Sequence, residues 1–145
     1  MKPAHAIAAL IALIVPISAM GDALAGVDNP ARARMNYMLN CQGCHGPAGS
    51  GTHDGSVPAM QGFVGRFLTV EGGREFLVQV PGSANAALDD TQLAEVLNWI
   101  LQTMSAEVLP ERWEPYTAAE VGPLRKEPLT EIEHARAALV RRLSP

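Results

Sequence analysis

Two cysteines are all that this 145-residue chain contains, and that scarcity excludes several readings at once. A structural zinc site draws four ligands from two cysteine-bearing knuckles, and there is no second knuckle. Basic residues are few as well: 11 lysines and arginines stand against 15 aspartates and glutamates, a formal net charge of −4. Such a balance leaves no basic field to hold nucleic acid, and a partner steered by charge would have to present a positive patch. Past residue 25, no apolar run approaches the roughly 20 residues that a bilayer span requires. Repeats and low-complexity tracts are missing. So is any grouping of acid, base and nucleophile that would mark a catalytic centre; Asp54, Glu71 and Glu75 read as solvated charges in loop or helix-start positions.

The two cysteines that are present stand together, in Cys41-Gln42-Gly43-Cys44-His45. This is the spacing of a c-type haem attachment site. Two thiols separated by two residues can each add across a vinyl group of one porphyrin, and the next residue then falls beneath the iron. His45 is therefore expected as the proximal ligand, the commonest way to hold haem iron from below. A thioredoxin-type pair would need a strand-helix-strand setting with its first thiol at a helix start, whereas here the pair follows a helical segment. A plain disulfide between the two would leave His45 unexplained.

Covalent haem attachment takes place outside the cytoplasm, so an export signal is expected at the N-terminus. Lys2 forms a minimal basic region, Ala6 to Ala19 is apolar apart from Pro16 and Ser18, and Ala23-Leu24-Ala25 is a small-x-small cleavage site before Gly26. A retained anchor is disfavoured because Pro16 interrupts the apolar run well short of a span. Cleavage would remove Lys2 and Asp22, one charge of each sign, and release a mildly acidic periplasmic chain with no membrane span.

Asp28-Asn29-Pro30 predicts a helix start, with Asp28 or Asn29 as N-cap and Pro30 preset for the first helical position; the helix runs to about Asn40. Ala33 and Tyr37 share one face of it, while Arg32, Arg34 and Asn36 are expected to point elsewhere. Gly46-Pro47-Ala48-Gly49-Ser50-Gly51 cannot continue a helix. Glu71 to Val80 carries a short helical face of Phe76, Leu77 and Val80 that ends at Pro81-Gly82. At Leu88-Asp89-Asp90-Thr91-Gln92-Leu93, Asp89 caps, Gln92 answers from the third position and Leu88 can staple onto Leu93. The helix that follows buries Leu93, Val96, Leu97, Ile100 and Met104 at spacings of three and four. Ser105 to Pro145 holds five prolines and two capping boxes, Thr117 with Glu120 and Thr130 with Glu133. The second predicts an amphipathic helix with Ile132, Ala135, Leu139 and Leu143 on one face and Arg136, Arg141 and Arg142 on others. It is expected to pack back on the preceding helices as a latch, with partner docking as the alternative.

An aromatic four residues before the attachment motif, Pro58 about a dozen residues past His45, apolar Met60 two beyond it, and Gly62-Phe63-Val64-Gly65-Arg66 make the chain resemble the class I cytochrome c family. The resemblance covers roughly Asp28 to Met104. It implies an all-α cytochrome c fold, helices around one covalently attached haem c, here with a C-terminal helical extension. The chain then divides into a signal peptide (1–25), a cytochrome c domain (26–104) and a proline-containing extension (105–145). In that family the proline carbonyl accepts a hydrogen bond from the proximal histidine, a role that would fall to Pro58 and would fix the imidazole's tautomer and orientation. By the same resemblance Met60 would pack on the haem and Arg66 would lie near a propionate. The last core helix would cross the first, setting Val96 and Trp99 against Ala33 and Tyr37.

Electron carriers of the family usually hold iron between histidine and a methionine sulfur, which favours the ferrous state. That methionine normally comes from the loop before the last core helix, and the corresponding Gly82-Ser83-Ala84-Asn85-Ala86-Ala87-Leu88 contains none. Met60 and Met104 stay as candidates for the sixth ligand, each with packing as its competing role. Met35 and Met38 would have to leave the first helix; His53 lies in a glycine-bounded loop and His134 on the final helix; an open sixth site is the remaining alternative. A six-coordinate iron makes the protein a one-electron carrier, not an enzyme, between a dehydrogenase and a downstream cytochrome or oxidase. A five-coordinate iron makes it a gas-binding sensor or catalyst. A third reading is a haem subunit docked on an oxidoreductase through its extension. The carrier is favoured, because one haem in a small helical frame meets the needs of electron transfer and no catalytic constellation accompanies it.

Overall fold

The computed structural model describes residues 23–143; the leader expected over 1–25 falls outside it except for its last three residues. Seven α-helices follow in order: α1 (Pro30–Asn40), α2 (Gln42–His45), α3 (Gly73–Gln79), α4 (Pro81–Ala84), α5 (Asp90–Met104), α6 (Ala118–Leu124) and α7 (Ile132–Leu143). Short 3-10 turns occupy Val64–Thr69 and Ala106–Val108. No strand occurs among the described residues, so the all-α expectation holds. None of these helices is long and apolar enough to cross a membrane.

The frame is a crossing of α1 on α5. Asn29 opens α1 by accepting the Arg32 amide at 3.0 Å, with Pro30 at the first helical position. Fully buried Ala33 lets the two backbones approach, and beside it the Tyr37 ring meets Trp99 at a centroid distance of 5.4 Å. Asn36, expected to point away, is buried too. Three residues along from Ala33, it shares that residue's face. Arg32, though exposed, reaches α5: its Nε and Nη2 donate to the two carboxylate oxygens of Glu95 at 2.8 and 2.9 Å. The Asn29 amide donates to the same carboxylate at 2.8 Å.

Asp89 and Gln92 form the reciprocal box at the start of α5. All five residues of the expected apolar stripe are buried, but so are Ala94, Asn98 and Leu101 on the helix's other side. The reason is α6, which covers that second face. Asn98, with 0% of its surface exposed, fastens the cover. Its Nδ2 donates to the carbonyls of Gly26 and Tyr116 at 3.0 Å each, and its Oδ1 accepts the Tyr116 amide at 2.7 Å. Arg74 of α3 lies 4.2 Å over the Tyr116 ring and pairs with Glu120 of α6.

The run from Glu71 stops at Gln79, just before Pro81-Gly82 as expected. Pro81 then starts a separate turn, α4, because a residue with preset φ and no amide hydrogen suits a first helical position. One boundary differs from expectation. The final helix begins at Ile132, so the Thr130 box does not cap it. The latch packs as expected: Leu139 is 4% exposed, set against the Val64–Thr69 turn and α3. Ile132, on the same stripe, stays 37% exposed for a reason that lies in the site.

Candidate haem site

Cys41 caps the end of α1 and opens the single turn of α2, where the amides of Cys44 and His45 both return to the Cys41 carbonyl at 3.2 and 3.0 Å. Both thiols and the imidazole therefore sit on one tight turn. The thiols are free. Cys44 is exposed and Cys41 half-buried, where burial and then the neighbouring Cys44 push the Cys41 pKa up to about 11.

His45 is half-buried, and burial pulls its pKa below the ordinary histidine value while the Pro58 carbonyl works the other way. Its Nδ1 is buried without closing a hydrogen bond of full geometry, to Pro58 or to any other described residue. With Nδ1 turned into the protein, Nε2 is the nitrogen left for the cavity. The loop behind His45 is held from α1, since the Tyr37 hydroxyl donates to the Gly46 carbonyl at 2.5 Å. It then folds onto the following segment through Met60 N to Gly49 O at 2.7 Å and Gly51 N to His45 O at 3.0 Å. Glycine is required here. Gly49 and Gly51 have φ of +70° and +73°; a Cβ on Gly49 would stand 2.6 Å from the Met104 sulfur, and one on Gly51 would collide with the Val57 carbonyl. This fold-back brings Pro58 to the imidazole.

A cavity of about 310 Å³ opens against this turn. Cys41, Cys44 and His45 form one side, with Pro58, Met60, Phe63 and Phe67 next to them. Phe76 and Leu77 of α3, then Val80 to Ser83 reaching into α4, form another. Leu97, Ile100 and Leu101 of α5 border it as well, as do Ile132 and Arg136 of α7. An apolar slot that borders two free thiols and an imidazole with an unpartnered buried nitrogen fits a flat, covalently held porphyrin.

Of the residues expected around the haem, Pro58 and Met60 border the cavity and Arg66 does not. In a 3-10 turn residues three apart share a face, so Val64 and Phe67 go inward together and Arg66 turns out. It stands exposed, 6.0 Å from the Phe63 ring centroid. Arg136 lies 5.4 Å from that same ring and does border the cavity. Met104 is buried with its sulfur toward Gly49 and takes no part in the cavity wall. Met35, Met38, His53 and His134 are exposed. The residues beyond reach of the sequence were the Tyr37 hydroxyl contact, Ile132 and Arg136. The aromatic four positions before Cys41 was a usable signal for the first, and nothing local marked the others.

No family model matches the chain. It is 34% identical over 108 residues to cytochrome c-552 of Thermus thermophilus, covering 62% of this chain and 82% of the relative. A second Thermus thermophilus sequence of the same name matches at the same identity, with 72% of its length covered. The all-helical frame around an apolar slot with a Cys-x-x-Cys-His turn is that of a c-type cytochrome. By fold and by likeness, the chain belongs to the class I c-type cytochromes. It binds haem c covalently and is a small electron-transfer protein.

Proposed function

We propose that Cys41 and Cys44 hold the haem through thioether bonds, that His45 is its proximal ligand, and that the protein is a periplasmic one-electron carrier between a dehydrogenase and a downstream cytochrome or oxidase. The observation that carries the site assignment is the apolar cavity bordered by two free thiols and by His45, whose buried Nδ1 leaves Nε2 for the iron. Bound haem supplies one-electron iron chemistry. The chain's own residues orient and enclose it. Tyr37 anchors the loop behind His45, Pro58 biases the imidazole, and Met60, Phe63, Phe67 and Leu97 exclude water from the ring, which sets its potential. Cys44 is exposed, so a haem attached there would have that edge near solvent, where a redox partner can approach.

We read residues 1–25 as the leader, 26–104 as the haem domain and 105–145 as an extension integral with it, and the protein as a carrier and not an enzyme. Docking of the extension on an oxidoreductase has less in its favour, since the chain itself covers Leu139 and part of Leu143 and leaves only Ile132 of that stripe exposed. Replacing both Cys41 and Cys44 by serine is expected to give exported protein without covalent haem. Haem that stays with the denatured double variant in a pyridine-haemochrome assay would overturn the assignment.

A further inference from the structure

We infer that the sixth coordination position of the haem faces a wall that cannot ligate iron, and that it is a binding site for a small neutral diatomic ligand, carbon monoxide or nitric oxide. The inference rests on the haem assignment above, not on a six-coordinate iron, and adds ligand binding to a haem that still exchanges one electron. It begins with where the walls lie. His45 sits on α2, which packs on α1; α3 packs with α4, α6 and α7. The α2 turn and the α3–α4 segment thus border the same cavity from separately supported elements, and a haem held at His45 would meet both.

The α3–α4 wall presents Leu77, Val80, Pro81, Gly82 and Ser83. Of these only Ser83 carries a heteroatom in its side chain, and a neutral hydroxyl is a poor partner for haem iron. Met60 is the one thioether that borders the cavity, and its contacts tie it to the loop that leaves His45. Its amide is bonded to the Gly49 carbonyl, and both its Cβ and its Cε lie along Gly49, in the loop that leaves His45. Movement of the α3–α4 wall is restrained from outside. Arg125, just past α6, donates to the carbonyls of Ala84, Ala86 and Leu88 at 3.1, 2.7 and 2.7 Å and to Asp90 at 3.2 Å. The segment that supplies a methionine in other members of the family is here short and pinned by a guanidinium.

The chemistry of the wall selects the ligand. A wall whose one polar side chain is a neutral hydroxyl disfavours an anion, which would have to give up its hydration. Dioxygen on haem is held best where a hydrogen-bond donor meets the charge it acquires, and distal polarity and steric access decide between ligands. Carbon monoxide and nitric oxide need no such donor; each gives a lone pair to the iron, with no other bond made or broken. Ile132 of α7 adds a further aliphatic surface to the cavity, beside Arg136.

The test uses the purified mature holoprotein. Pyridine haemochrome of the denatured protein is read first: no covalent haem overturns both the haem assignment and this inference. With covalent haem present, a high-spin ferrous spectrum whose Soret band moves on adding carbon monoxide is the expected result. A low-spin ferrous spectrum that carbon monoxide leaves unmoved overturns this inference alone. Val80→Phe, with helicity matched to wild type, is expected to weaken carbon monoxide binding at least about tenfold by filling the wall's free space; wild-type affinity in that variant would overturn the placement on α3–α4.

Discussion

Glu95 shows how much one residue can decide. It is 4% exposed on α5 yet charged, and it collects the Arg32 guanidinium and the Asn29 amide in one carboxylate. Burial works to raise its pKa, but the hydrogen bonds from Arg32 and Asn29, with the attraction of the Arg32 charge, together outweigh it and hold the pKa below the ordinary value. A carboxyl whose folded pKa is depressed contributes stability in full above its unfolded pKa of about 4.3 and loses that contribution as pH falls through the folded pKa. Urea midpoints measured from pH 7 down to about pH 3 should therefore fall less steeply for Glu95→Gln than for wild type, from a lower starting value at pH 7. Parallel curves would show that the pair carries no such linkage. Nothing in the sequence marked this glutamate, because its partners come from the other end of the α1–α5 crossing. The Cys-x-x-Cys-His turn was legible for the opposite reason: Cys41, Cys44 and His45 are neighbours in the chain.

Among the elements, α1 and α5 could be read directly, since each announces itself by a cap and a periodic face long enough to register. The four-residue helices α2 and α4 could not, because a single turn has no period, and Pro81 is equally suited to end one helix or begin the next. Arg125 escaped notice as one more arginine beyond a short helix. Its bonds, however, cover three carbonyls of the α4–α5 connection that have no other hydrogen-bond partner among the described residues. Arg125→Met keeps most of the stem and removes the donors, which should cost on the order of 2 kcal/mol. Amide hydrogen exchange between Ala84 and Asp90 should speed up about tenfold or more while α1 stays protected. Unchanged exchange in that segment would show that the guanidinium does not hold it.

At the scale of the whole molecule, residues on both sides of Met104 share one core: Tyr116, Val121 and Leu139 lie in the same buried cluster as Tyr37, Val96 and Phe67. Truncating one large buried side chain to alanine costs roughly 2–5 kcal/mol, and a domain's entire stability is about 5–15 kcal/mol. Losing all three of those residues, together with the Asn98 clasp on Tyr116, removes a quantity comparable to the whole. A chain ended at Ser105 is therefore expected to show no cooperative thermal transition, and a sharp calorimetric peak near the wild-type temperature would refute this. Helix composition and fold class were legible because they depend on local patterning. The shared core was not, because the second face of α5 looks like ordinary surface until α6 covers it.

The order of the walls along the chain also sets an order in time. Cys41, Cys44 and His45 belong to the first part of the described chain, whereas Ile132 and Arg136, which also border the cavity, belong to its last helix. A chain that emerges from its N-terminus would present these three residues well before the helix that borders the same cavity. On the proposed assignment, that interval would let a porphyrin be seated before α7 docks.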